Sequence, residues 1–119
     1  MRHAQAEASV KSVHASRPVS RHHTSQGLQL HYLDWGDAGA PAVFLVHGAR
    51  DHARAWDDVA HALVRDGWRV IAPDLRGHGD SDWSPDAAYL VSYHLLDLAD
   101  LIDHVGEAAF TLVAIPSGG

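Results

Sequence analysis

The chain contains no cysteine. Disulfide staples and thiolate metal sites are therefore excluded, and the redox compartment cannot be read from it. No apolar run approaches the ~20 residues that a spanning helix needs, which excludes a membrane helix. Positive charge is scarce: nine Lys and Arg stand against fifteen Asp and Glu, a formal net charge of −6. That balance argues against a nucleic-acid footprint, which needs a basic stripe. There is no internal repeat and no low-complexity segment. What is present is ordinary globular composition, 46% hydrophobic and 20% charged. At 119 residues it makes one small domain or a piece of a larger one.

The charge is unevenly placed. Residues 1–26 hold Arg2, Lys11, Arg17 and Arg21 against Glu7 alone, and the remainder holds five Arg against fourteen acids. The opening stretch has no continuous apolar core, so it is not a secretory signal, and a cytoplasmic location is expected. A basic, acid-poor start loosely resembles an organelle transit peptide. The simpler reading is a solvated tail over residues 1–18, followed by a domain over 19–119.

Strands are expected at Val19 to Ser25 and from Leu28 to Asp34, joined at Gly27. In the second, Leu28, Leu30 and Tyr32 alternate with Gln29, His31 and Leu33, the pattern of a half-buried strand in a hairpin. Residues 36–41 form a loop by turn chemistry. Ala42 to Val46 is a short continuous apolar run, as a strand covered on both faces requires. Trp56, Val59, Ala60 and Leu63 then share one face of a helix that stops at Gly67. Trp68 to Ala72 is a further strand, ended by Pro73. A second helix is expected from Ser92 to Val105, with Leu95, Leu98, Ala99, Ile102 and Val105 on its apolar face and Asp97, Asp100 and His104 on a solvated one. Phe110 to Ala114 is a third buried-type strand. The fold class is α/β: a β-hairpin, then β-α-β-α-β with a mostly parallel sheet.

In such sheets ligands bind outside the carboxyl ends of the strands. Three loops leave those ends: His47 to Ala55, Pro73 to Asp86, and Ile115 to Gly119. Leu45-Val46-His47-Gly48, with Trp56 eight residues on, is followed by Asp74-Leu75-Arg76-Gly77-His78-Gly79-Asp80-Ser81. Together they closely resemble the α/β-hydrolase superfamily. The hairpin residues Leu30-His31-Tyr32-Leu33-Asp34-Trp35-Gly36 are similar to the family's opening strands. The resemblance runs over residues 19 to 119 and corresponds to the N-terminal half of the family's domain.

The resemblance implies roles. It implies oxyanion donors at Ala49 and, after the nucleophile position, at Ser117. One fixed N–H donor is typically worth ~3 kcal/mol of barrier. His47, Gly48, Asp74, Arg76, Gly77, His78 and Gly79 would form the supporting loops. His47 would brace its loop, because the family's catalytic base lies far downstream. Gly77-His78-Gly79 lacks the third glycine of a dinucleotide fingerprint. Ser81 reads as a turn residue. The histidines do not make a metal site: His22 and His23 point opposite ways on a strand, and no helix carries His-x-x-x-His. No metal and no cofactor are expected, and the partner is a small-molecule substrate.

The nucleophile is where this chain departs from the family. The family sets it in a strand-to-helix elbow, G-x-S-x-G. Where related sequences read Val-Ala-His-Ser-Leu-Gly-Gly, this one reads Val113-Ala114-Ile115-Pro116-Ser117-Gly118-Gly119. In register, the nucleophile position is Pro116, which has no hydroxyl. The off-register candidate Ser117 would put Ile115, a stiff β-branched residue, in the glycine place. Removing one base from GCC CAT TCC CTC G (Ala-His-Ser-Leu) gives GCC ATT CCC TCG, which encodes Ala-Ile-Pro-Ser, residues 114–117. A frameshift is therefore the expectation, giving a truncated, inactive product of a hydrolase. Strand 110–114 would be left as an exposed edge, and the chain expressed alone would be insoluble or poorly folded. The alternatives are a non-catalytic binding module on the same scaffold and a mononucleotide-binding half-fold. The missing phosphate glycines after Val46 count against the last.

Overall fold

Alternation of apolar residues decides which strands face helices on both sides. The computed structural model describes residues 17–48, 52–84, 91–106 and 110–114. Residues 1–16 of the expected tail (1–18) and the elbow (115–119) lie outside them, as does Ala49. Strands β1 (Val19–Ser25) and β2 (Leu28–Trp35) pair antiparallel, with Ser20 opposite Leu33 and His22 opposite His31. Their two-residue turn has φ of 52° at Gln26 and 80° at Gly27. Two positive φ values in succession match the right-handed twist of a tight hairpin.

β3 (Ala42–Val46), β4 (Arg69–Pro73) and β5 (Phe110–Ala114) complete a five-stranded sheet of order β1-β2-β4-β3-β5. β4 pairs antiparallel with β2 and parallel with β3, and β5 is parallel to β3. Among these strands only β2 runs against the rest. The fold is thus α/β with a mixed, mostly parallel sheet. A short 3₁₀ turn (Ala53–Trp56) leads into α1 (Asp57–Arg65), and α2 (Val91–Val105) follows β4.

The helices take opposite faces of the sheet. Leu33, Trp35, Val43, Leu45, Val70 and Ala72 meet Ala53 and Ala60, with Trp56, Leu63 and Val64 packed around them. Tyr32, Ala42, Phe44 and Ile71 meet Leu101, Ile102 and Val105 on the other face. Successive residues of β2, β3 and β4 therefore point into different cores, as the period of two demands. For the same reason β2 is not half-buried as its pattern suggested. It lies inside the sheet, and only Gln29 among its residues is exposed.

Two helix-face expectations need correction. Val59 is exposed on α1, and Val64 joins Trp56 and Leu63 in the packing instead. On α2, Leu95 and Leu96 are exposed while Asp97 and Leu101 are buried. The cause is the Arg76 guanidinium. It is 2% exposed and donates to Asp97 through Nε at 2.6 Å and Nη2 at 2.7 Å. A buried cation requires its carboxylate beside it, so the acidic row of the helix turns inward. Ser25 Oγ lies 2.8 Å from Asp97 and 2.6 Å from Asp100 and shares its one hydrogen between them, and His104 packs on His23 and Tyr32. Ile102 and Val105 pack inward as expected, but Leu95 gives way to Asp97, and Asp100 is half-buried rather than solvated.

A second charged network ties the hairpin to the sheet. Asp34 accepts from Arg69 Nε at 3.0 Å and Nη2 at 2.8 Å, and from Arg21 Nε at 2.9 Å. One carboxylate thus connects β1, β2 and β4.

β5 is the exposed edge expected of it, although its composition is that of a covered strand: all five of its residues are exposed. Phe110 touches the core edge-on through Phe44, with ring centroids 5.3 Å apart. Exposed Phe110, Leu112 and Val113 on an edge strand form a template for pairing with another chain. Replacing Leu112 by lysine places a charge on that strand without touching either core. Leu112→Lys is expected to raise the soluble, monomeric fraction of the 119-residue chain several-fold, measured by sedimentation velocity.

Candidate active site

The carboxyl ends of β3 and β4 lie side by side because the two strands are parallel neighbours. The loops that leave them are clamped together by His47 and Asp74. His47 is 1% exposed. Its Nδ1 donates to Gly48 O at 2.7 Å, and its Nε2 accepts from Leu75 N at 3.0 Å. One neutral imidazole thereby holds the turn after β3 to the loop after β4.

Asp74 does more. Its Oδ1 accepts from Ala53 N at 2.6 Å, and its Oδ2 from His31 Nδ1 at 2.7 Å and from Asp80 N at 3.0 Å. Burial alone would push this carboxyl's pKa up. The N–H donors of Ala53 and Asp80, and then His31, outweigh it and hold the pKa below the ordinary 3.8. Asp74 therefore stays ionised at neutral pH.

The rest of the loop follows from this carboxylate. Gly79 has φ +51°, and a Cβ there would stand 2.3 Å from Asp74 Cγ. Only glycine allows the loop to close over the carboxylate. Gly77, at φ +77°, donates its N–H to Asp82 O at 2.8 Å. His78 Nδ1 lies 3.0 Å from Arg76 O, and its ring packs at a tilt on His47. Arg76 carries the loop onto α2 through Asp97, with its guanidinium carbon 5.1 Å from the Tyr93 ring centroid. Ser81 Oγ donates to Asp74 O at 2.6 Å and accepts from His31 N at 2.8 Å, the work of a turn residue.

Of the residues singled out in the sequence, the structure thus brings His47, Gly48, Asp74, Arg76, Gly77, His78 and Gly79 into two joined loops. Ala49, Pro116 and Ser117 lie outside the described residues. His31, Ala53 and Asp97 complete the arrangement and were not foreseen. His31 was hidden by its position in an alternating strand, where it read as a surface residue. His31, Asp74 and Asp80 each offer one donor atom within 4.8 Å of the others. As a cation site this set is poor, because His31 Nδ1 and the Asp80 N–H already point their hydrogens at Asp74.

A family model described as serine aminopeptidase, S33, matches residues 38–115. The chain belongs to the α/β-hydrolase superfamily. It is 38% identical over 91 residues to epoxide hydrolase A of Mycobacterium tuberculosis, covering 75% of this chain and 28% of that protein. It is 34% identical over 92 residues to lipase LipV of the same organism, covering 77% and 34%. Among solved structures, a thioesterase domain from the curacin biosynthetic pathway superposes with a TM-score of 0.78 at 30% identity, covering 82% of this chain and 36% of that one. The chain therefore spans about a third of the length of these relatives. Among its described residues, no helix is long and apolar enough to cross a membrane.

Two losses of stability are expected in acid, read by thermal melts of the Leu112→Lys form. His23 has its pKa lowered from 6.5, by burial first and by His104 second, against Asp97 and Asp100. As pH falls below about 6.5 the unfolded chain takes up a proton that the buried ring resists, so stability drops. Asp74 has a depressed folded pKa, so its contribution is complete above about pH 5 and is lost as pH falls through 3.8 and below. His23→Gln should remove the first limb and Asp74→Asn the second. Gly79→Ala should cost ~2 kcal/mol or more at pH 7, through the collision and the positive φ.

Proposed function

We propose that this chain is the front portion of a cytoplasmic α/β-fold hydrolase of small molecules, cleaving ester, lactone or related bonds by a nucleophile–His–acid mechanism. The observation that supports it is the clamp of His47 and Asp74. It pins the turn after β3 against the loop after β4, at the carboxyl ends of parallel strands. Buried hydrogen bonds fix the backbone at Gly48 and at Ala53, on either side of the position that the resemblance gives to an oxyanion donor. Such preorganisation is what stabilises a developing oxyanion. The relatives named epoxide hydrolase, lipase and thioesterase favour small-molecule hydrolysis as the general class.

In this reading Ala49 donates one oxyanion hydrogen bond, and Ser117, beside the nucleophile position, donates the other. The elbow serine is displaced: Pro116 occupies its place and cannot attack a carbonyl. The attacking hydroxyl and its His–acid pair belong to the longer parent reading frame, and the 119-residue product is inactive by the elbow route. A pseudoenzyme or binding module on the same scaffold is favoured instead if proline is the true residue at 116.

The DNA following codon 113 decides between them. Translation in all three frames is expected to restore a His-Ser-Leu-Gly elbow and, further on, an acidic residue and a histidine in hydrolase-like surroundings. The restored protein should hydrolyse p-nitrophenyl esters, with activity lost when its elbow serine becomes alanine. A gene with no such continuation in any frame overturns the proposal.

A further inference from the structure

We propose that Ser20, His31 and Asp74 form a nucleophilic triad that takes an acyl group from small activated esters. It uses neither Pro116 nor Ser117, so it stands or falls apart from the elbow chemistry above.

Ser20 Oγ lies 2.5 Å from His31 Nε2, and His31 Nδ1 lies 2.7 Å from Asp74 Oδ2. A carboxylate accepts but cannot donate, so Nδ1 must carry the hydrogen and donate to Asp74. That leaves the lone pair of a neutral ring on Nε2, directed at the Ser20 hydroxyl. The order is nucleophile, base and orienting carboxylate, the arrangement that activates a serine wherever it occurs.

The base and its anchor are rigid. The His31 side chain is 5% exposed and that of Asp74 4%. His31 N donates to Ser81 Oγ and His31 O accepts from Asp74 N. Ser20 itself is exposed, on β1 beside β2, in register with Leu33. It borders a cavity of about 310 Å³ also lined by His31, Leu33, Arg54, Asp74 and Asp80. That volume holds a small acyl ester, with Leu33 for its apolar part; Arg54, paired with Asp57 through Nη1 at 3.6 Å, lines the same cavity.

The chemistry balances without a cofactor. Ser20 Oγ bonds to the ester carbonyl carbon as its proton passes to His31 Nε2. The bond from that carbon to the leaving oxygen breaks, and the leaving group departs with the proton from Nε2. Water then adds to the acyl carbon, giving a proton to Nε2. The bond to Oγ breaks, Oγ recovers the proton, and a carboxylic acid leaves. Asp74 positions the imidazole and does not change protonation state.

The test uses the 119-residue chain, with Leu112→Lys as its soluble form. A fluorophosphonate probe is expected to modify Ser20, located by peptide mass spectrometry, and p-nitrophenyl acetate to give a burst near one equivalent. Both should vanish in Ser20→Ala and in urea. Because the chain has no cysteine, Ser20→Cys introduces a single thiol that reports on the base directly. Beside His31 it should react with iodoacetamide at pH 7 about 10-fold faster than Ser92→Cys, an exposed thiol on α2. Equal alkylation rates, a probe adduct on another residue, or labelling that survives urea would each overturn the proposal.

Discussion

A single buried carboxylate, Asp74, organises the end of the sheet where chemistry is expected. It accepts from the backbone of the segment after β3, from the backbone of its own loop, and from a side chain of β2. Three pieces of chain distant in sequence are thereby fixed to one another. A buried carboxylate without such donors would be costly, since desolvation disfavours the charge. With three it is stable as an anion and dictates what surrounds it. Gly79 must lack a side chain, Asp80 must present its N–H, and His31 must turn Nδ1 inward. The motif that marks the family is thus a set of conditions for holding one buried negative charge among hydrogen-bond donors.

The two charged pairs on either side follow the same logic. Arg76 with Asp97 fastens the loop after β4 to α2, and Arg69 with Asp34 fastens β4 to the hairpin. Neither pair is strong evidence for net stability, because desolvation offsets much of the Coulombic gain. Their effect is on arrangement. Each arginine is held by a carboxylate at a fixed place on another element, so helix and strand settle in one register. A hydrophobic contact at the same places would permit sliding.

The element order was legible because strands and helices here differ in period. Ala42 to Val46 is a short apolar run and Trp68 to Ala72 a mostly apolar one, realised as Arg69–Pro73, and Trp56 and Leu63 stand at helical spacing around the first helix. The loops were legible through their glycines. Which way α2 faces was not, because hydrophobic periodicity assigned Leu95 and Ala99 inward and Asp97 outward. A buried arginine in a loop twenty-one residues earlier reversed that choice, and nothing local to the helix announces it. β5 was legible as a strand and as an exposed edge. Its composition suits a covered strand, but cover depends on what packs over it, and among the described residues it is exposed on every residue. His31 was missed because a histidine in an alternating strand looks the same whether it meets water or a carboxylate forty-three residues away.

That last point bears on how a serine, histidine and aspartate came to lie in line. The clamp needs one ring nitrogen of His31 and has no use for the other. Fixing Nδ1 on Asp74 also fixes the direction of Nε2, which points along the sheet toward β1. Antiparallel pairing of β1 with β2 then puts Ser20 and His22 on the same face as His31 and Leu33. His22 stacks at a tilt on the ring, 5.3 Å away, and Ser20 takes the nitrogen. No strain and no additional buried charge is required beyond what the loop already uses. A hydroxyl at position 20 is therefore the only addition that converts a structural hydrogen-bond clamp into a polarised nucleophile, and the same clamp without it would remain purely structural.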